Sequence, residues 1–275
     1  MDNYTTSAQR ASKVVTETFS TSFSSAITLF SKDIQQDIYN IYGLVRVADE
    51  VVDTYQGPEA AQILDELEKE VYATLERGFS ANVIVHAFGI TARTFAIDQN
   101  LIAPFFASMR MDLTTKRFTT KEYQTYIYGS AEVVGLMCLK VFTQGSKTTY
   151  QQLAKGASAL GAAFQKVNFL RDIKDDYQTR GRYYFPTGSF DTFGESEKTA
   201  IIAEIQKDFT VARLAIAKLP DNARFATQLA YDYYRQLLKT LQNTPADQIR
   251  DRRIRVSRAI KLRLLIKSRL RSYVG

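Results

Sequence analysis

Two short runs of the chain gather residue types suited to handling a multiply charged anion. The first is Tyr42, Arg46, Asp49 and Asp53; the second is Gln165, Asn168, Asp172 and Asp176. At about 100° per residue on a helix, each set projects from nearly one face. Carboxylates four residues apart repel by roughly 0.2–0.5 kcal/mol in water, and by more once desolvated. Both pairs nevertheless sit among apolar neighbours, Val45, Val51 and Val52 in the first run and Val167, Leu170 and Ile173 in the second. A solvated outer face has no need of an arginine or an amide in register with its acids. Two such stripes facing one another form an all-oxygen box for a hard divalent cation, Mg²⁺ before Mn²⁺. Mg²⁺ keeps waters and takes one or two carboxylates together with substrate phosphates, so the box reads as a diphosphate site. For either stripe alone a surface ion-pair ladder competes evenly; two stripes in one chain weaken that reading.

The elements that must carry these stripes read as helices almost throughout. Phe23, Ile27 and Phe30 share one stripe, and Ile34, Ile38, Ile41, Val45 and Ala48 another; Ile63, Leu67, Val71 and Leu75 follow the break at Gln56-Gly57-Pro58. Further helices are predicted over 80–98, 100–112, 119–143, 148–179, 195–219, 221–242 and 257–272, with Arg250 to Val256 extended. Glycine and proline fall between them, as at Gly145, Gly181 and Pro220. No Pro/Ser-rich linker or fixed-period repeat divides the 275 residues, so one all-α domain over 1–275 is expected.

Composition removes several classes of chemistry. One cysteine, Cys138, excludes an internal disulfide framework and a Cys-rich zinc site, and reads as packing beside Leu136, Met137 and Leu139. The single histidine, His86, excludes a multi-His metal site and reads as a partly buried helix residue. No Gly-x-Gly-x-x-Gly occurs, so no Rossmann nicotinamide site is expected. The polar first ten residues lack a signal-peptide core, and no run approaches the ~18 apolar residues of a spanning helix; the chain reads as cytoplasmic.

The ordered set of motifs resembles the squalene/phytoene synthase family. It comprises Asp49-x-x-x-Asp53 preceded by Tyr42 and Arg46, then Asn168-x-x-Arg171-Asp172-x-x-x-Asp176, then Arg180-Gly181-Arg182-Tyr183-Tyr184-Phe185-Pro186. Ser20-Thr21-Ser22-Phe23 is similar to the family's N-terminal Ser-x-Ser-Phe, and Tyr126-Ile127-Tyr128 through Val134-Gly135-Leu136 to its mid-chain Tyr-x-Tyr…Val-Gly. The resemblance implies a single-domain class I isoprenoid synthase helical bundle with a central apolar cavity. Its chemistry would be head-to-head joining of two prenyl diphosphates through a cyclopropyl diphosphate.

The resemblance also implies Mg²⁺ held by Asp49, Asp53, Asn168, Asp172 and Asp176. Diphosphate contacts would come from Ser20, Ser22, Arg46, Gln165 and Arg171, with Tyr42, Tyr128 and Tyr234 at the reaction centre and Arg253 near a diphosphate. Two departures stand out: Phe19 occupies a position that is polar in many relatives, and Glu50 replaces the second acid of an Asp-Asp pair. The favoured product is phytoene from two geranylgeranyl diphosphates; the alternative is a C30 hydrocarbon or alcohol from farnesyl diphosphate. NADPH is not expected. A non-catalytic scaffold relative would have lost its acids, and here all four remain.

The net charge of +7 is unevenly spread. Between Ile249 and Ser272 stand ten basic residues against one acid, a local +9, while the remaining 26 basic and 28 acidic side chains leave the rest of the chain at −2. Ala259, Leu262, Ile266 and Leu270 share one face of the predicted last helix. A terminal helix docked on the body competes with peripheral contact at the inner membrane surface, where each basic residue near anionic lipid adds about 1 kcal/mol. No motif supports nucleic-acid binding. On the helix predicted around 119–143, Tyr128, Ala131, Gly135 and Leu139 form a small-residue stripe, read equally as close helix packing or as room for a prenyl chain.

Overall fold

A computed structural model describes residues 2–55 and 57–255, and only the backbone of residues 21 and 22. The described chain runs through twelve α-helices: α1 (Asn3–Phe19), α2 (Thr21–Ile27), α3 (Lys32–Asp53), α4 (Ala60–Arg77), α5 (Val83–Thr94), α6 (Gln99–Thr114), α7 (Thr120–Ile127), α8 (Val133–Phe142), α9 (Lys147–Arg180), α10 (Glu195–Ile216), α11 (Asp221–Gln242) and α12 (Ala246–Asp251). Among the described residues the extended backbone forms only one isolated parallel bridge, Arg117 to Tyr183. None of their helices is long and apolar enough to cross a membrane.

The predicted all-α architecture is present, and the periodic stripes are what the core uses. On α3 the side chains of Ile34, Ile38, Ile41, Leu44, Ala48 and Val52 are buried. The 34-residue α9 spans about 50 Å at 1.5 Å per residue and packs against α8, α10, α11 and α12. Local signals set the ends of these helices. Asn82 accepts from the Ile84 and Val85 N–H groups to start α5, and Ser146 accepts from Thr149 to start α9. Gly181, at φ +66°, ends α9: its N–H bonds Tyr177 O while Arg182 N–H bonds Asp176 O.

One element goes unforeseen and two expectations are corrected. The N-terminus forms a 17-residue helix that hydrophobic periodicity does not announce, because its buried face is Thr5, Ala8, Ser12 and Thr16. These small side chains let α1 lie close on α3; a Cβ added to Gly43 would sit 3.0 Å from Ser12 Oγ. Second, the helix expected over 119–143 is broken by a π-turn at Tyr128–Glu132. There Gly129 approaches the backbone of α6 so closely that a Cβ would collide with the Pro104 carbonyl. Third, Arg250 is helical, in α12, whose Ala246 and Ile249 are buried; the extended backbone starts at Arg252. Val256 and the helix expected over 257–272 lie outside the described residues.

The small-residue stripe serves close packing. A Cβ on Gly135 would stand 2.8 Å from Ala157 O, and one on Gly161 would strike Ala131 O. His86 is buried, within 3.2 Å of Thr5 Oγ1. Cys138 packs against the core, where burial pushes its thiol up to about 12.

Candidate functional site

The last three turns of α3 and the second half of α9 present the two acid stripes to one another. Their meeting point is Arg180, one turn beyond Asp176. Its Nε lies 3.1 Å from Asp53 Oδ1 and its Nη1 3.0 Å from Asp176 Oδ1, so one guanidinium bridges the stripes. Burial, and the charge of Asp53 beside it, hold the Asp49 carboxyl up at about 7. Burial and the neighbouring Asp172 do the same to Asp176, also to about 7. Both directions follow from crowding carboxylates in a partly desolvated space.

The second stripe is framed by α11 and the chain after α12. Arg253 Nε stands 2.8 Å from Asp172 Oδ1, and Arg171 grips the same carboxylate through Nε at 2.8 Å. Tyr234 donates to Asn168 Oδ1 at 3.2 Å and stacks on Phe164 with ring centroids 3.9 Å apart. Tyr234 and Arg253, far from the acids in sequence, therefore stand at the second stripe. Gln165 reaches Ser130 Oγ only at 3.5 Å.

Around the first stripe, Arg46 pairs with Glu50 one turn on, and the ring of Phe19 covers its guanidinium at 4.4 Å. Tyr42 stacks on Phe23 at 4.8 Å, and burial raises its phenol pKa despite a hydrogen bond with Ser20. Ser20 also caps α2, accepting from the Phe23 N–H at 3.3 Å. The Ser22 side chain lies outside the described residues. Tyr128 opens the π-turn, 39% exposed, and none of its contacts among the described residues joins it to the acids.

Several members of the cluster were assigned no role from sequence. Arg180 and Arg182 follow the second acid motif directly, and the Asp176-to-Arg180 spacing of four was a visible cue. Arg182 is nearly enclosed, with Nη1 3.0 Å from Asp53 and 3.3 Å from Asp112 Oδ1. Asp112 accepts from Tyr126 at 2.7 Å and Tyr184 at 3.1 Å. It gave no cue, being a lone acid on the mixed helix α6.

Among the described residues no three acidic, His or Cys side chains stand together as a ready metal site. Asp53, Asp172 and Asp176 are instead paired with Arg171, Arg180, Arg182 and Arg253. The donor chemistry still suits a hard cation: all-oxygen ligands, acids crowded enough to resist ionisation, and guanidinium groups already occupying the positions of positive charge.

The family model for squalene/phytoene synthase matches residues 16–259. Phytoene synthase 3 of Zea mays is 29% identical over 93% of this chain, which spans 64% of that protein's length. The 15-cis-phytoene synthase of Synechococcus elongatus is 29% identical, with 86% of this chain and 85% of that protein covered. In fold, a dehydrosqualene synthase solved with a ligand aligns at a TM-score of 0.83 and 20% identity over 98% of both chains. The squalene synthase HpnC of Alicyclobacillus acidocaldarius aligns at 0.77 and 18% identity, over 88% of this chain and 95% of that one. With the helices, the two facing acid stripes and a family match over most of its length, this chain belongs to the squalene/phytoene synthase family.

Proposed function

We propose that the protein condenses two geranylgeranyl diphosphates head-to-head to phytoene, through a cyclopropyl diphosphate, with Mg²⁺ as the cation. The observation that carries this reading is the pair of acid stripes meeting across Arg180, at 3.1 Å from Asp53 and 3.0 Å from Asp176. Asp49, Asp53, Asn168, Asp172 and Asp176 would hold the metal, which when bound neutralises the departing diphosphate.

The chain's own residues then do the following. Arg46 and Arg171 turn from Glu50 and Asp172 towards diphosphate oxygens, adding positive charge where the leaving group develops negative charge. The first allylic C–O bond breaks and the carbon closes a cyclopropane on the second molecule's double bond; the proton released passes to diphosphate. Loss of the second diphosphate and a second proton gives the C40 hydrocarbon. Aromatic faces near the stripes, Tyr42 and Tyr234 among them, exclude water and stabilise cationic carbon by about 2 kcal/mol each when desolvated.

A C30 product from farnesyl diphosphate is the second reading, favoured by the likeness in fold to a dehydrosqualene synthase and a squalene synthase. Incubation with radiolabelled C15 and C20 diphosphates and Mg²⁺, with and without NADPH, separates the two by lipid chromatography. A C40 hydrocarbon without NADPH is expected; no C30 or C40 product from either substrate overturns the enzyme reading.

Peripheral membrane contact through the basic C-terminus belongs to the same proposal. Of its ten basic residues, Arg250 bonds Asp191 O at 2.9 Å, Arg252 bonds Gln248, and Arg253 pairs with Asp172. Lipid contact then falls to Arg255 and the residues that follow it. Liposome flotation of the full chain against a version truncated at 256 tests it; equal flotation rejects it.

A further inference from the structure

Arg182 is held between two carboxylates of different standing. Its side chain is 5% exposed, and a buried guanidinium needs a counter-charge at all times. Asp53, at 3.0 Å, belongs to the acid stripe and is 25% exposed. Asp112, at 3.3 Å, is 4% exposed and belongs to neither stripe.

Asp112 is also fixed in place. Tyr126 donates to its Oδ2 and Tyr184 to its Oδ1. Tyr184 stacks on Phe169 of α9, centroids 3.9 Å apart and planes at 4°, and Phe118 packs on both tyrosines. Arg182 in turn donates through Nη2 to Val52 O at 3.2 Å, anchoring it at the end of α3. Arg180, the other partner of Asp53, is 29% exposed and has Asp176 as a second acceptor, so it can turn away; Arg182 cannot.

We propose that Asp112 is a positioning residue: as the fixed counter-charge of Arg182, it leaves Asp53 free to exchange its arginine for a divalent cation. Without Asp112, the buried guanidinium depends on Asp53 alone, and a cation that drew Asp53 away would strand it. The inference rests on the metal reading of the acid stripes given above.

The test is calorimetric titration of the full chain with MgCl₂ in the presence of inorganic pyrophosphate, which reads cation uptake without turnover. Asp112→Asn keeps shape and an acceptor while removing the charge. It is expected to weaken Mg²⁺ uptake roughly 10- to 100-fold, the range for losing an outer-shell partner of a metal ligand. Adding Arg182→Gln to that variant removes the stranded cation and is expected to recover most of the loss. Tyr126→Phe, a milder change that deletes one donor to Asp112, is expected to weaken uptake in the same direction by a smaller factor. Should Asp112→Asn fail to fold, Tyr126→Phe carries the test, and wild-type uptake there rejects the proposal. A folded Asp112→Asn with wild-type uptake overturns it, as does a double variant no better than the single. A wild-type chain that takes up no Mg²⁺ with pyrophosphate overturns the metal reading as well, which separates the two failures.

Discussion

Asp53, Asp172 and Asp176 are each paired with an arginine, so the cost of losing one depends on what it leaves behind. Asp49→Ala and Asp172→Ala are each expected to abolish detectable turnover in the radiolabelled assay while helical circular dichroism is retained. Asp172→Ala leaves Arg253, 42% exposed, to be solvated by water, whereas Arg171, 17% exposed, loses its counter-charge in a largely buried place, so a moderate loss of stability accompanies the loss of turnover. Turnover at the wild-type level in either variant rejects the metal assignment. The acids, with Asn168 and Arg46 in register beside them, were legible because helical spacing puts like-charged groups on one face against apolar neighbours, which is costly unless used; Arg171 came only with the family resemblance. Asp112 was not legible: its importance comes from Tyr126, Tyr184 and Arg182, which reach it from α7 and from the segment after α9.

At the scale of elements, close approach decides more than apolar area. Gly161 on α9 lies against the Ala131 carbonyl at the π-turn, so Gly161→Ala forces two helix backbones apart. The expected cost is about 1–3 kcal/mol, read as a lower urea midpoint at unchanged m-value. Helix α7 starts with a capping box in which the Thr119 N–H and hydroxyl donate to Glu122. These hydrogen bonds lower the Glu122 pKa below its ordinary 4.5. A depressed carboxyl contributes stability that is present above the ordinary value and is lost as pH falls through the folded one. Glu122→Gln keeps the reciprocal geometry without the charge, so its stability should fall less steeply than wild type below pH 4.5, measured by thermal unfolding; parallel curves reject the assignment. The stop at Gly181 was read from residue type, whereas the Thr119 capping box and the N-caps went unread. The π-turn and α1 also went unread, since neither depends on apolar periodicity.

Taken as a whole, the molecule sets one acidic centre inside a bundle whose core is built largely from aromatic and aliphatic side chains. Phe209 of α10 is fully buried, edge-on to Tyr231 at 5.3 Å and near Phe164, the ring on which Tyr234 stacks. Phe209→Ala is expected to cost about 3–5 kcal/mol of unfolding free energy by opening a cavity, measured by denaturant titration. The same change loosens the support behind Tyr234 and Asn168, so activity should fall further than folded fraction alone accounts for. Charge distribution also makes sense at this scale: the slightly acidic body holds its excess in the site, and Arg253 of the basic terminus folds back onto it. Sequence alone determined the helical class and the two acid stripes, because helix period and the spacing of the acids are local properties written every three or four residues; the order of the motifs carried the resemblance to the family. Only the tertiary structure decided which arginines stand between the stripes, that Tyr234 and Arg253 meet the second of them, and that Asp112 lies behind the first. Those contacts join residues up to 129 positions apart, and burial sets their strength, which no local spacing encodes.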